Sequence, residues 1–224
     1  MKPGLAHVES WIFDLDNSLY RPSSNLFELI DLRMGEYIQR LLACDPVEAR
    51  RVQKAHFLDH GTTLAGLMRE HGVDPHDFLD FVHDIDLARL AADPQLVAAL
   101  DRLPGRKFVF TNADEPYARR VLGRLGLANA FDGLHDIHAM AYRPKPHPAS
   151  YSAMCERLAI DPRRALFVDD MARNLVPAKA LGMTTVWLDN GSERGGHEAD
   201  RGAIDHVAAD IGAWLAQIFE EEPA

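Results

Sequence analysis

The chain has 224 residues, 47% of them hydrophobic and 26% charged, with a formal net charge of −10 at pH 7. That composition suits a globular protein with one full core and room for a smaller accessory unit. It argues against binding of a nucleic-acid polymer, which needs a basic stripe, but leaves room for a small anionic ligand in a locally positive site. The two cysteines, Cys44 and Cys155, make no CxxC pair and no disulfide framework, so a reducing compartment is expected. MKPGLAHVES has no apolar signal core, and no later run is apolar for long enough to span a bilayer. The expectation is a soluble cytoplasmic protein with no membrane partner.

In chain order, the first strand candidate is WIFDL (11–15). Four helical patterns follow, at 26–42, 46–60, 64–72 and 75–85, and then a fifth at 94–103 with Pro94 at its start. KFVFT (107–111) reads as the next strand, followed by a helix at 116–126 that ends in Gly126. GLHDI (133–137) is a weaker strand, and Pro148 opens a helix over 148–159. ALFVD (165–169), a helix over 172–181 stopped by Gly182, TTVWL (184–188) and DHVA (205–208) complete the series. Short apolar runs alternating with helices predict an α/β fold: a Rossmann-like, doubly wound parallel sheet covered on both faces. Roughly ninety residues separate Asp16 from Lys107, where a crossover needs about a dozen. That interval carries helices and no strong strand signal. It predicts an inserted helical cap at 19–91, with a core made of 1–18 and 92–224. The polar, Gly-rich stretch NGSERGGHEADRG (190–202) lacks GxxxxGK and is expected to be a surface connection instead of a phosphate cradle.

The carboxylates are the informative part. Asp14 and Asp16 stand two apart at the end of the first strand, so an extended backbone points them the same way. The carboxyl edge of an open α/β sheet is where ligands bind. Asp169 and Asp170 repeat the pattern after another buried strand. If those strands are neighbours, several carboxylates converge, and ionised carboxylates crowded together cost several kcal/mol each unless a cation intervenes. Mg²⁺, which takes one or two carboxylates plus waters and a substrate phosphate, is the natural remedy. Thr111 and Asn112, at another strand end, offer a hydroxyl and an amide for phosphoryl oxygens. Lys145, held between Pro144 and Pro146, offers an aimed ammonium.

The order Asp14-x-Asp16, Thr111, Lys145, Asp169-Asp170 resembles the four motifs of haloacid dehalogenase (HAD) superfamily hydrolases. LDNSLY, FTNAD and HGTTLAGLMREHGVDPHDFLDFVHDID are similar to the pyrimidine 5′-nucleotidase branch. Ser18 stands where most relatives carry Thr, and keeps the hydroxyl. The resemblance implies a Mg²⁺-dependent phosphomonoesterase in which Asp14 is the nucleophile and Asp16 the general acid and base. It further implies that Thr111 and Lys145 neutralise the transferring group, with Asn112 beside them. The metal would take the Asp14 carboxylate, the Asp16 carbonyl and Asp170, with Asp169 binding directly or through water. The implied substrate is a small phosphorylated metabolite, a nucleoside monophosphate such as UMP or CMP. Alternatives are phosphoglycolate, pyridoxal phosphate, a sugar phosphate, or a phosphoglucomutase-like transfer. A dehalogenase would leave Asp16 and the second acidic pair without a task.

Within 19–91, His56 and His60 are four apart, but no HExxH pattern or nearby Cys accompanies them, so packing or solvation is expected over zinc. The turn His60-Gly61-Thr62-Thr63 reads either as a substrate contact or as a helix connection with Thr as cap. Phe78, Phe81 and Val82 read as the insert's own core.

Overall fold

The computed structural model describes residues 3–193 and 195–219. Strand β1 (Ser10–Phe13) is buried along its whole length, as a strand covered on both faces must be. The chain then leaves the sheet for helices α1 (Leu26–Leu42), α2 (Pro46–His60), α3 (Thr63–His71) and α4 (Pro75–His83). Asp45-Pro46 and Asp74-Pro75 start two of these helices by one device. The aspartate accepts hydrogen bonds from the first free N–H groups, and the proline fills a position where no donor is missed. Thr62 caps α3 in the same way, accepting from Ala65 N at 3.1 Å. These helices pack chiefly on one another. Phe78 and Val82 lie in their buried centre, and Phe81 lies under the Arg33 guanidinium.

The chain returns through α5 (Pro94–Asp101) to β2 (Arg106–Phe110), α6 (Glu115–Leu125), β3 (Gly133–His135), α7 (Pro148–Leu158) and β4 (Ala165–Asp169). It closes with α8 (Leu175–Ala180), β5 (Thr184–Leu188), β6 (His206–Ala208) and α9 (Ile211–Gln217). The six strands form one sheet in the order β3-β2-β1-β4-β5-β6, and every pair is parallel. The fold is therefore the expected α/β class. Strand order reverses where β1 meets β4, so a crevice opens there at the carboxyl ends. Asp14 N–H donates to Val168 O at 2.9 Å and holds that crevice in register.

Two expectations change. The helix expected over 172–181 is a 3₁₀ turn at Ala172–Asn174 followed by α8. Pro177 explains the break: it has no N–H, and its ring obstructs the carbonyl four residues back, so it fits only in a first turn. The 190–202 stretch is also more than a surface connection. Ala172 N–H donates to Gly195 O at 2.8 Å, and Asn190 Nδ2 donates to Asn17 O at 2.6 Å. A side chain at Gly195 would stand 2.9 Å from Asp170 O. The glycine lets this loop fold back against the end of β4.

Candidate active site

The ends of β1 and β4 bring together the four carboxyl-bearing positions read from the sequence, and the loop before α7 brings in a lysine. Lys145 is only 1% exposed. Its Nζ donates to Asp14 Oδ1 at 2.7 Å, to Asp169 Oδ2 at 2.7 Å and to Phe110 O at 2.9 Å. All three ammonium protons are thus used. Ser18 Oγ donates to the other Asp14 oxygen at 2.7 Å, so the nucleophile candidate is oriented from both sides. Asp169 is spoken for in addition by Met171 N–H at 2.8 Å and Asn174 Nδ2 at 2.9 Å. The Asp170 main-chain carbonyl accepts from Trp187 Nε1 at 3.0 Å.

Asp14, Asp169 and Asp170 each place a carboxylate oxygen within 4.8 Å of the others. Three ionised carboxylates against one ammonium would leave two negative charges uncompensated. The strain shows in their protonation. Burial first, then Asp14 and Asp169, push the Asp170 carboxyl well above the ordinary carboxylate range. Burial also raises Asp169, up to about 6, although Lys145 pulls it the other way. Lys145 is raised because Asp14 and Asp169 outweigh its burial. A divalent cation would remove this imbalance, and an all-oxygen donor set suits a hard ion. The residues present therefore fit such an ion. Asp170 and Asp14 are the freer ligands, since Asp169 already serves three donors.

Asp16 lies beside the cluster and borders the same cavity. Burial, and then the Asp14 charge, raise its carboxyl. Its Oδ1 accepts from Tyr20 OH at 2.6 Å and from Tyr117 OH at 2.9 Å. Neither tyrosine stands at a motif position. Tyr20, four residues after Asp16 in LDNSLY, carried a signal. Tyr117 carried none, because 101 residues separate it from Asp16.

Two predicted phosphate contacts are placed differently. Thr111 is fully buried, and its Oγ1 accepts from Ala113 N–H at 3.0 Å. It shapes the turn after β2 and does not border the cavity. Asn112 does border it, but its amide is taken up by the main chain of Lys145. Lys145 N–H donates to Oδ1 at 2.8 Å, and Nδ2 donates to Lys145 O at 3.3 Å. A short polar side chain after a strand satisfies nearby backbone first, and here that backbone carries the lysine.

The cavity holds about 230 Å³ between the sheet edge and the inserted helices. Its outer wall includes Phe27, Ile30, Met34 and Phe57. Gly61, Thr62 and Thr63 also line it, so the helix connection and the substrate-facing turn are one structure. Arg173, just past the acidic pair, reaches across to the insert: its guanidinium lies 4.7 Å from the Phe57 ring centre. On the opposite side His83 stacks on Tyr117 at 4.3 Å and 14°, with Nδ1 2.7 Å from Asp114 Oδ1. His60 Nε2 lies 2.8 Å from Glu70 Oε1. The buried His56 ring fills space that a side chain at Gly66 would occupy. No helix among the described residues is long and apolar enough to cross a membrane.

A family model described as haloacid dehalogenase-like hydrolase matches residues 11–182, and the chain belongs to that family. Phosphate metabolism protein 8 of Saccharomyces cerevisiae is 27% identical over 191 residues, 77% of this chain and 59% of that protein. The chain thus spans less than two thirds of the yeast protein. A phosphoglycolate phosphatase of Rhodospirillum rubrum is 29% identical over 226 residues, 91% of this chain and 89% of its own. Among solved structures, a HAD phosphatase from Thermococcus onnurineus superposes with a TM-score of 0.64 at 20% identity, covering 94% of this chain and 97% of its own. The L-2-haloacid dehalogenase of Xanthobacter autotrophicus superposes with a TM-score of 0.56 at 16% identity, covering 94% and 98%. The fold is therefore shared by a phosphatase and a dehalogenase, and the residues have to choose between such activities.

Proposed function

We propose that this HAD-type phosphatase is a Mg²⁺-dependent phosphomonoesterase that works through an aspartyl-phosphate on Asp14 and acts on a pyrimidine nucleoside 5′-monophosphate. The observation that carries the chemistry is the charge count around Lys145. Fully ionised, three carboxylates exceed the one ammonium by two charges, so their ionisation calls for a divalent ion, through which a phosphate ester can bind, and carbon–halogen cleavage needs neither the cluster nor Asp16. Asp14, Asp170 and the Asp16 main-chain carbonyl would hold Mg²⁺, which when bound supplies charge neutralisation at the phosphoryl group. Asp14 is aimed by Lys145 and Ser18 and attacks phosphorus. Asp16 gives a proton to the leaving oxygen and later takes one from the attacking water. Lys145 keeps the transferring charge company, and the Thr111 turn and the Asn112 amide hold it in place.

Residues 19–91 act as the cap, over a core of 1–18 and 92–224. The cap closes over the leaving group and excludes water. The apolar outer wall of the cavity supports a nucleoside over glycolate. A flat base and a ribose can cover Phe27, Ile30, Met34 and Phe57, whereas a two-carbon acid would leave that surface wet.

A phosphate-release panel covering UMP, CMP, purine monophosphates, phosphoglycolate, pyridoxal phosphate and sugar phosphates tests both parts. Highest kcat/KM on UMP or CMP, loss of activity in EDTA with recovery on adding Mg²⁺, and a loss on the order of 10³-fold or more in Asp14→Asn are expected. Preference for phosphoglycolate would overturn the substrate and keep the chemistry. Full activity in Asp14→Asn would overturn the chemistry. An isomerised sugar phosphate without free phosphate would make the enzyme a mutase.

A further inference from the structure

The geometry around Asp16 points to a three-residue positioning device: Tyr20 and Tyr117 fix the plane of its carboxylate, and His83 makes that fixing depend on the seating of the inserted helices. The inference rests on the proposed phosphatase chemistry and deepens it.

A carboxylate on a loop rotates about its last bond through a broad, two-fold profile. A group that must pass a proton to one oxygen of a substrate gains from losing that freedom. Both phenol hydroxyls donate to the same Asp16 oxygen, Oδ1, at 2.6 and 2.9 Å. Among the described residues Oδ2 has no hydrogen-bond partner, and Asp16 borders the cavity. One oxygen is therefore anchored and the other left for chemistry. In the first step the Oδ2 proton passes to the leaving oxygen as its bond to phosphorus breaks and the bond to Asp14 forms. In the second step Oδ2 takes a proton from water as the water oxygen attacks phosphorus and Asp14 leaves. The tyrosines keep their own protons throughout.

The two anchors come from different parts of the fold. Tyr20 follows β1 directly, and Tyr117 sits in the first turn of α6. Tyr117 in turn leans on the insert. His83, at the end of α4, stacks on its ring at 4.3 Å and approaches Asp114, the cap residue of α6, at 2.7 Å. Arg120, one turn further along α6, donates to His83 O at 2.8 Å and to Ile85 O at 2.7 Å. The end of α4 is thus tied to the element that carries the Asp16 anchor. Displacing α4 removes one face of the Tyr117 packing, so the acid is held correctly only with the insert in place.

The bland alternative is that Asp16 serves the tyrosines, as a partner for two buried hydroxyls. Leaving-group dependence separates the two. A general acid matters little when the leaving oxygen is already a good anion and much when it is not. Tyr20→Phe and Tyr117→Phe keep the rings and lose only the hydroxyls. With Mg²⁺ present, kcat/KM is measured for p-nitrophenyl phosphate and for phenyl phosphate, with thermal midpoints as a check on folding. In each variant the ratio of the first to the second should rise about tenfold, mainly through kcat, and further in the double variant, approaching Asp16→Asn. His83→Ala should raise it in the same direction by about threefold. A uniform loss on both esters, or an unchanged ratio, overturns the positioning role, while an unchanged ratio in His83→Ala alone overturns the dependence on the insert. If the wild-type enzyme releases phosphate from neither aryl ester nor any ester of the panel, the phosphatase reading itself falls and takes this inference with it.

Discussion

The sheet edge and the insert wall face one another across a single cavity and are built on opposite principles. At the edge, Asp14, Lys145 and Asp169 are buried and bonded at 2.7 Å, every proton of the lysine is used, and the surplus charge is confined to a few ångströms. On the wall, the charges are half-buried and shared among several partners. Asp31 is approached by Arg50 and by Lys54 at 3.8 Å, and Lys54 also lies 3.8 Å from Glu193. At 3.8 Å the Lys54 contacts are too long for hydrogen bonds and hold neither partner in a single geometry. The contrast assigns labour. A buried, over-determined cluster can hold a reacting group in one geometry. A wall of apolar side chains and loose ion pairs can accept the part of a substrate that does not react.

Removing the centre of the edge should have the largest effect on the fold. Lys145→Met leaves two carboxylates buried without their partner, and a loss of about 3–5 kcal/mol is expected in urea unfolding. Added Mg²⁺ should recover part of it, about 2.7 kcal/mol at a hundred times its Kd. A midpoint unchanged by the substitution would mean that the cluster is not ionised as its geometry implies.

The same core offers a control away from the lysine, at a group where burial outweighs the pull of its neighbour Asp136. His135, at the end of β3, is buried beside Phe110, and neither ring nitrogen has a hydrogen-bond partner among the described residues. Burial, with help from Arg157, lowers its pKa from 6.5 to about 4. The folded protein refuses a proton that the unfolded chain accepts, so stability is full above about pH 6.5 and falls as the pH drops towards 4. At pH 5 the cost is about 2 kcal/mol. His135→Phe should flatten the dependence of unfolding free energy on pH across that window. An identical slope would show that the acid sensitivity lies in the carboxylate cluster instead.

The wall should give the smallest effect, and the most selective. Phe57→Ala removes one apolar contact, worth about 1–3 kcal/mol to a bound group of matching shape. It should raise KM for a nucleoside monophosphate about tenfold or more and lower kcat less, while p-nitrophenyl phosphate, which reaches the wall less, responds weakly. Equal losses on both substrates would take the base away from this wall.

Legibility followed the same division. WIF and ALFVD announce buried strands, because an apolar run ending in carboxylates has few other uses, and β4 and β5 fall on the residues read from the sequence. The acidic cluster was legible because a two-residue spacing and a strand end are local properties. Thr111 was not, since a hydroxyl after a strand looks the same whether it turns outward to a ligand or inward to Ala113 N–H. Nor was the return of the 190–202 loop. Its glycines signal a turn, but the backbone of Asp170 that Gly195 must approach is a partner chosen by the fold.

By itself the amino-acid order determined the buried strands, the inserted helices and the acids that end two of those strands, because hydrophobic period and residue type act over a few positions. Only the tertiary structure decided that the two acid-bearing strands are neighbours, which oxygen of Asp16 is anchored, that the Asn112 amide holds Lys145, and that an imidazole from the insert leans on a tyrosine of the core. Those choices depend on distances of a few ångströms between residues far apart in the chain, and no local pattern encodes them.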